Sequence, residues 1–317
     1  MKNADIKRII AISPNRLGDT IFCTPLFRLL KENFPNAKVD VIALTSLAAE
    51  VMQYNPYINK VLLKPNEEEI IAIANDYDLA LNIHVTPQGE RYFKLLNRDA
   101  INFSRTNQQH VAESFLQFAA KTFDFDLVNF DASYSLYPQQ EHMQNIEKML
   151  KRGGVNFTDD VLIGFHLGCH GLAKKRTRFW KRHSHPKAWP FKSFVKLAKK
   201  LQKHNPHIKI VLTGSKSEEK LGQLFGKKIN NTINLIGQTS VLDLAALMSY
   251  LKLFLTNDTG VMHIACATNI KLIALFGHTD PIVTGPYPKK DYRVVLFNKN
   301  MKKIKVDNVF QNIISML

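Results

Sequence analysis

The sequence predicts an α/β fold built twice, as two doubly wound parallel-sheet domains facing a cleft between their strand ends. Three observations carry this expectation. Short apolar runs of strand length alternate with longer runs of helical period. The alternation pauses at Arg152-Gly153-Gly154-Val155-Asn156, reads there as a linker, and then restarts. Small polar residues follow several of the strands, and in open α/β sheets ligands bind at such strand ends. A chain of 317 residues accommodates two domains, placed here at 1–155 and 156–317.

In chain order, 7–13 reads as a buried strand and 25–34 as a helix ending before Pro35. Residues 39–44 form a second strand, 47–54 a helix, 60–63 a short strand, 67–75 a helix and 79–84 another strand. Residues 111–123 and 141–151 read as helices. After the linker come a strand at 161–167, a helix at 191–204, a strand at 208–213 and a helix at 217–228. The segments 233–235, 241–250, 251–256, 261–267 and 272–276 complete the second unit, with the runs from 251 and 272 read as strands and the stretch from 261 as a helix. The amphipathic stretch 306–316 is a terminal helix, with the option of packing back on the N-terminal domain.

Composition excludes several classes. No segment reaches the roughly 20 apolar residues of a membrane span, and the N-terminus shows no secretory apolar region. Cys23, Cys169 and Cys266 are odd in number and far apart, so neither a disulfide framework nor a zinc site is expected, and a cytoplasmic setting is. The net charge is +16, and much of it is concentrated. Between Asp160 and Glu218 there are fourteen Lys or Arg and no acidic residue. Such a field suits phosphates, nucleic acid or an anionic membrane face; a solvated basic surface is the plainer alternative.

The chemistry gathers at turns. Leu255-Thr256-Asn257-Asp258-Thr259-Gly260-Val261-Met262-His263 runs from a strand into a helix start, where free N–H groups favour an anion. A second polar turn, Gly277-His278-Thr279-Asp280-Pro281, ends the next strand. Asp19, in Arg16-Leu17-Gly18-Asp19, stands after the first strand; it could accept a proton from a hydroxyl, or simply serve the helix dipole. Lys187, before Trp189-Pro190, could neutralise a phosphate or be a solvated lysine. Glu218 follows another strand, where the first helical turn alone explains an acid and a ribose or base contact is the alternative. His166 and His170 read as structural, and His183-Ser184-His185 lacks the further ligands a metal needs. Neither GxGxxG nor GxSxG occurs, which argues against ordinary dinucleotide binding and a nucleophile elbow.

Together these blocks resemble the ADP-heptose:lipopolysaccharide heptosyltransferases, glycosyltransferase family 9. The match rests on Ser13-Pro14-Asn15-Arg16-Leu17-Gly18-Asp19 with Phe34-Pro35-Asn36-Ala37-Lys38, on Lys187-Ala188-Trp189-Pro190, and on Thr256-Asn257-Asp258-Thr259-Gly260 with His263. The chain departs from the family at Asn82, His278 and Leu167-Gly168-Cys169-His170, and 171–186 is longer and more basic than usual.

The resemblance implies a GT-B architecture of two Rossmann-like domains and an inverting transfer of heptose from ADP-heptose to the lipopolysaccharide inner core. It makes Asp19 the general base and Lys187, Glu218, Asp258, Thr259, Gly260 and His263 the donor contacts. Arg16, Lys174, Lys175, Arg176 and Arg178 are candidates for contact with an anionic acceptor or with the inner-membrane surface. No metal and no cofactor beyond the nucleotide-sugar co-substrate are expected. The alternatives are another nucleotide sugar, a protein acceptor, or a basic nucleic-acid-binding protein. The last explains neither Gly18-Asp19 nor the Asp258 turn, so no nucleic-acid partner is expected.

Overall fold

The computed structural model describes residues 6–83, 86–96, 100–103, 109–169 and 186–317. The chain divides into two compact units, Met1–Tyr137 and Pro138–Leu317.

The first unit holds five strands: β1 (Arg8–Ile12), β2 (Lys38–Ala43), β3 (Lys60–Leu63), β4 (Leu79–Asn82) and β5 (Ala100–Asn102). They pair in the order β3-β2-β1-β4-β5, all parallel. Ile9, Ile10, Ala11 and Ile12 of the central strand are wholly buried. A strand apolar on both sides needs helices on both faces. These are α1 (Leu17–Phe22), α2 (Thr24–Asn33), α3 (Ser46–Met52), α4 (Glu67–Ile73), α5 (Pro87–Leu96) and α6 (Val111–Phe123). Their starts are locally encoded: Thr45 caps α3, and Asn66 and Glu69 form a reciprocal capping box on α4. The sequence missed α5 and β5. Only Gly89, Tyr92, Phe93 and Leu96 of α5 are buried, and β5 has three residues. The three residues of β5 are too few to show a period.

The second unit holds β6 (Val161–His166), β7 (Ile208–Thr213), β8 (Thr232–Asn234), β9 (Leu253–Asn257), β10 (Lys271–Phe276) and β11 (Arg293–Phe297). The order is β11-β10-β9-β6-β7-β8, again parallel throughout. In both sheets the chain starts in the middle, winds outward on one side, and returns to wind outward on the other. The direction therefore reverses between β1 and β4 in one unit and between β6 and β9 in the other, where turns diverge and leave room for a ligand. The helices are α7 (Gln140–Arg152), α8 (Phe191–His204), α9 (Glu219–Gly226), α10 (Val241–Met248), α11 (Gly260–Cys266), α12 (Pro281–Thr284) and α13 (Val306–Met316).

Three features differ from the sequence expectation. Helix α7, placed by the linker in 1–155, belongs to the second unit. It buries Ile146 and Leu150, packs on α10, and Asn145 Nδ2 donates to Asp243 Oδ1 at 3.1 Å. Strand β11 was not anticipated; it is a half-buried edge strand. The terminal helix α13 packs on α8 and β10, contributing Val309, Phe310 and Ile313 to the core of the second unit.

Candidate active site

In the first unit, the turn between β1 and α1 sets Asp19. Ser13 N donates to Ile42 O at 3.0 Å, holding the turn against β2. The Thr20 hydroxyl lies near Pro14 O at 3.0 Å and Arg16 O at 2.8 Å, and Thr45 Oγ1 donates to Asn15 O at 3.3 Å. The backbone around Asp19 is thus fixed by neighbours, not by Asp19 itself. Asp19 is half-buried in the first turn of α1, and Arg16 is exposed at its N-cap. Burial pushes the Cys23 thiol up, and the Asp19 charge adds to that shift. The carboxylate therefore lies close to a buried, uncharged thiol. At the end of the neighbouring β4, Asn82 is wholly buried and its Nδ2 donates to Asn102 Oδ1 at 2.9 Å.

In the second unit, the donor-type turn is built at the reversal between β6 and β9. Asp258, 7% exposed, follows β9 directly. Its Oδ2 accepts from Lys187 Nζ at 2.6 Å and from Thr279 Oγ1 at 2.7 Å, so the two polar turns and Lys187 meet on one carboxylate oxygen. Thr259 is extended at the N-cap of α11, and its hydroxyl lies 3.4 Å from that of Thr256. Among the described residues no side chain caps this helix start. Thr259 and Gly260 are half-buried, and His263 is buried one turn into the helix.

Asn257, which the sequence reading did not single out, lies wholly buried between these parts. Its Nδ2 donates to Leu167 O at 3.1 Å and Gly168 O at 3.0 Å, and its Oδ1 accepts from Trp189 N at 2.9 Å. Trp189 is itself buried, and its Nε1 donates to Ile304 O at 2.9 Å. One carboxamide so joins the end of β6 to the turn that carries Lys187.

Glu218 is held by its own turn: Ser215 N donates to its Oε2 at 2.8 Å, and Ser215 Oγ at 2.9 Å. The other carboxylate oxygen lies over the bare Cα of Gly168, where any Cβ would collide with it. The Cys169 thiol reports the same neighbourhood. Burial pushes it up to about 12, with Glu218 and Asp258 adding and Lys187 opposing. All three charges thus act on the thiol that follows β6. Gly168→Ala is expected to displace Glu218, break its capping contacts and cost about 1–3 kcal/mol of stability, as overpacking does, read by thermal unfolding. An unchanged midpoint would mean that Glu218 relocates without cost.

His166, at the end of β6, is 5% exposed, and its Nδ1 lies 3.1 Å from Thr213 Oγ1. Burial holds its pKa below the ordinary 6.5, with Glu218 partly opposing. The unfolded chain thus binds this proton more readily, so stability is present above about pH 6.5 and falls as pH drops below it. The denaturation midpoint should decrease from about pH 7.5 to about pH 5.5, and His166→Gln should flatten part of that slope. An identical slope in the variant would remove His166 from the effect.

Lys174, Lys175, Arg176 and Arg178, with His170, His183 and His185, lie outside the described residues. Among the described residues no group of three His, Cys, Asp or Glu side chains is placed to hold a metal ion.

Two Rossmann-like sheets, each with polar side chains at its reversal point, define a GT-B protein. The chain belongs to glycosyltransferase family 9 (heptosyltransferase), whose model matches residues 87–314. It is 24% identical to lipooligosaccharide heptosyltransferase 2 of Haemophilus influenzae, over 94% of this chain and 91% of that one. It is 25% identical to lipopolysaccharide heptosyltransferase 2 of Salmonella typhimurium, over 96% and 92%. A solved family 9 glycosyl transferase from Veillonella parvula superposes with a TM-score of 0.84 at 19% identity, covering 99% and 98% of the two chains. The E. coli ADP-heptose heptosyltransferase II superposes at 0.75, with 20% identity and 98% coverage of each chain.

Proposed function

We propose that this glycosyltransferase moves a heptose from ADP-heptose to the inner core of lipopolysaccharide, with inversion at the anomeric carbon. The observation that carries the reading is the convergence of Lys187, Asp258 and Thr279 at a sheet reversal point, beside a helix start that no side chain among the described residues caps. A diphosphate fits that chemistry: an ammonium offsets its charge, and the N–H groups after Thr259 supply donors. Named relatives agree in kind, since one solved neighbour is an E. coli heptosyltransferase with ADP.

In this scheme Asp19 takes the proton of the acceptor hydroxyl. The oxygen attacks the anomeric carbon opposite the diphosphate, the bond to ADP breaks, and the charge growing on the leaving phosphate is met by Lys187 and backbone N–H groups. Asp258 holds Lys187 and Thr279 in place, Glu218 lies at the nucleoside side, and His263 supports the helix start. Lys187 supplies the positive charge a divalent cation otherwise would, so turnover is expected to persist in excess chelator.

The acceptor would be an anionic glycolipid core at the cytoplasmic face of the inner membrane. The exposed lysines of α8, among them Lys192, Lys199 and Lys203, add to the basic 174–187 stretch in attracting an anionic leaflet, at about 1 kcal/mol per residue near the surface. Co-sedimentation with anionic vesicles, lost at high salt, checks this. Equal binding to neutral vesicles would refute it.

The decisive experiment incubates ADP-heptose and other nucleotide sugars with truncated core acceptors, with and without chelator, and reads products by mass spectrometry. Heptose added only from ADP-heptose is expected. Transfer from another donor, or a strict metal requirement, would overturn the scheme.

A further inference from the structure

We propose that Asn257 is a positioning residue for the donor phosphates, acting through Lys187. This rests on the reading of Lys187 as a phosphate ligand. Lys187 reaches Asp258 from a turn that is distant in sequence and belongs to no strand of the sheet. Something must fix that turn relative to β9. The side-chain ion pair alone is a poor clamp, because a lysine is a flexible stem and Lys187 remains 30% exposed.

The Asn257 carboxamide provides a rigid clamp. Its oxygen accepts the Trp189 N–H at 2.9 Å, two residues beyond Lys187, while its nitrogen donates to the carbonyls of Leu167 and Gly168. Asn257 is the last residue of β9 and is wholly buried, so its own position is set by strand pairing with β10. Trp189 is anchored a second time through its indole N–H to Ile304 O. The Lys187 turn is therefore held at both the backbone and the indole of Trp189, and Lys187 projects toward Asp258 from a fixed base.

A carboxamide suits this place. It needs one acceptor and two donor directions in a buried place, and every side-chain hydrogen bond it makes among the described residues is to backbone. Aspartate keeps the acceptor but loses the donors and faces two carbonyls. Alanine loses both. Each leaves buried backbone groups without partners, which is costly.

The test is a double-mutant cycle read by ADP binding in calorimetry, with the full chain. Asn257→Ala is expected to weaken ADP binding roughly tenfold, the size of one lost buried hydrogen-bonding partner. Lys187→Ala weakens it directly. In the Lys187→Ala background, Asn257→Ala should weaken ADP less than about twofold, because no ammonium remains to be misplaced. Asn257→Asp, isosteric and retaining the Trp189 contact, gives the same pattern and serves where the alanine variant does not fold. Losses that multiply would show a general structural role and overturn the proposal. So would wild-type ADP affinity in both Asn257 variants. If the unmodified chain binds no ADP, the donor reading fails instead, and that outcome is visible before any variant is made.

Discussion

Asp19→Ala is expected to transfer heptose about 10²–10⁴-fold more slowly than the unmodified protein, the range for loss of a general base, while its ADP affinity stays unchanged. Three features separate this from a structural effect. The turn that carries Asp19 is tied by Ser13, Thr20 and Thr45 and not by the Asp19 side chain. The helix-start aspartate contributes about 0.3–1 kcal/mol through the dipole, too little to unfold the unit. The carboxylate is half-buried beside a buried thiol, a place where a group can act without being fully hydrated. Asp19→Asn, equal in size and unable to take the proton, should behave like the alanine variant. Single-turnover transfer measured beside calorimetric ADP binding checks both. A variant with normal transfer, or with weakened ADP binding instead, would remove Asp19 from the role of base and return it to the helix cap.

Much of this fold was legible because strands buried on both faces write themselves as apolar runs, as 253–255 and 272–276 do. The polar turns after them were legible for the same reason, by contrast. What misled was Gly153-Gly154. Two glycines after a helix resemble a hinge, but here they close the end of α7, where Gly153 N donates to Met149 O at 3.0 Å. A Cβ on Gly153 would come within 2.9 Å of the Ile233 side chain, and Gly154 has φ +74. The division into compact units, at Tyr137 and Pro138, carries no glycine at all. Half-buried β11 gave a weaker signal, because an edge strand lacks the second buried face.

Among the candidate residues, Asp19, Lys187 and Asp258 could be named because their residue types suggest chemistry on sight. Asn257 and Gly168 could not. Asn257 works through carbonyls some ninety residues earlier in the chain, and Gly168 through a carboxylate fifty residues later. Such partners are set by strand order alone. Lys187 shows the intermediate case: its type suggested a phosphate, but only the ion pair with Asp258 distinguishes it from the many solvated lysines around it.

That pair defines the second large effect. Lys187→Ala is expected to weaken ADP binding about 10–100-fold, the size of a lost charge-assisted hydrogen bond. Turnover should fall further, by about 10²–10³, because negative charge on the leaving diphosphate is greatest in the transition state. A uniform binding contact would raise KM alone, so a fall in kcat separates stabilisation of the leaving group from simple anchoring. The substitution also alters the surroundings of Asp258. That residue is 7% exposed, and without Lys187 its Oδ2 would keep, among the described residues, only the Thr279 hydroxyl. The variant should therefore lose about 1–3 kcal/mol of stability as well, and kinetics must be taken well below its unfolding midpoint. Asp258→Asn resolves the two effects. It keeps the side chain's size and an acceptor for Thr279 but removes the counterion, so the protein stays folded while Lys187 loses its fixed direction. If Asp258 acts by aiming Lys187, the double variant is no worse than Lys187→Ala alone. If the losses instead multiply, Asp258 touches the donor in its own right. Wild-type ADP affinity in Lys187→Ala would reduce the pair to a structural bridge between the turn before α8 and the end of β9.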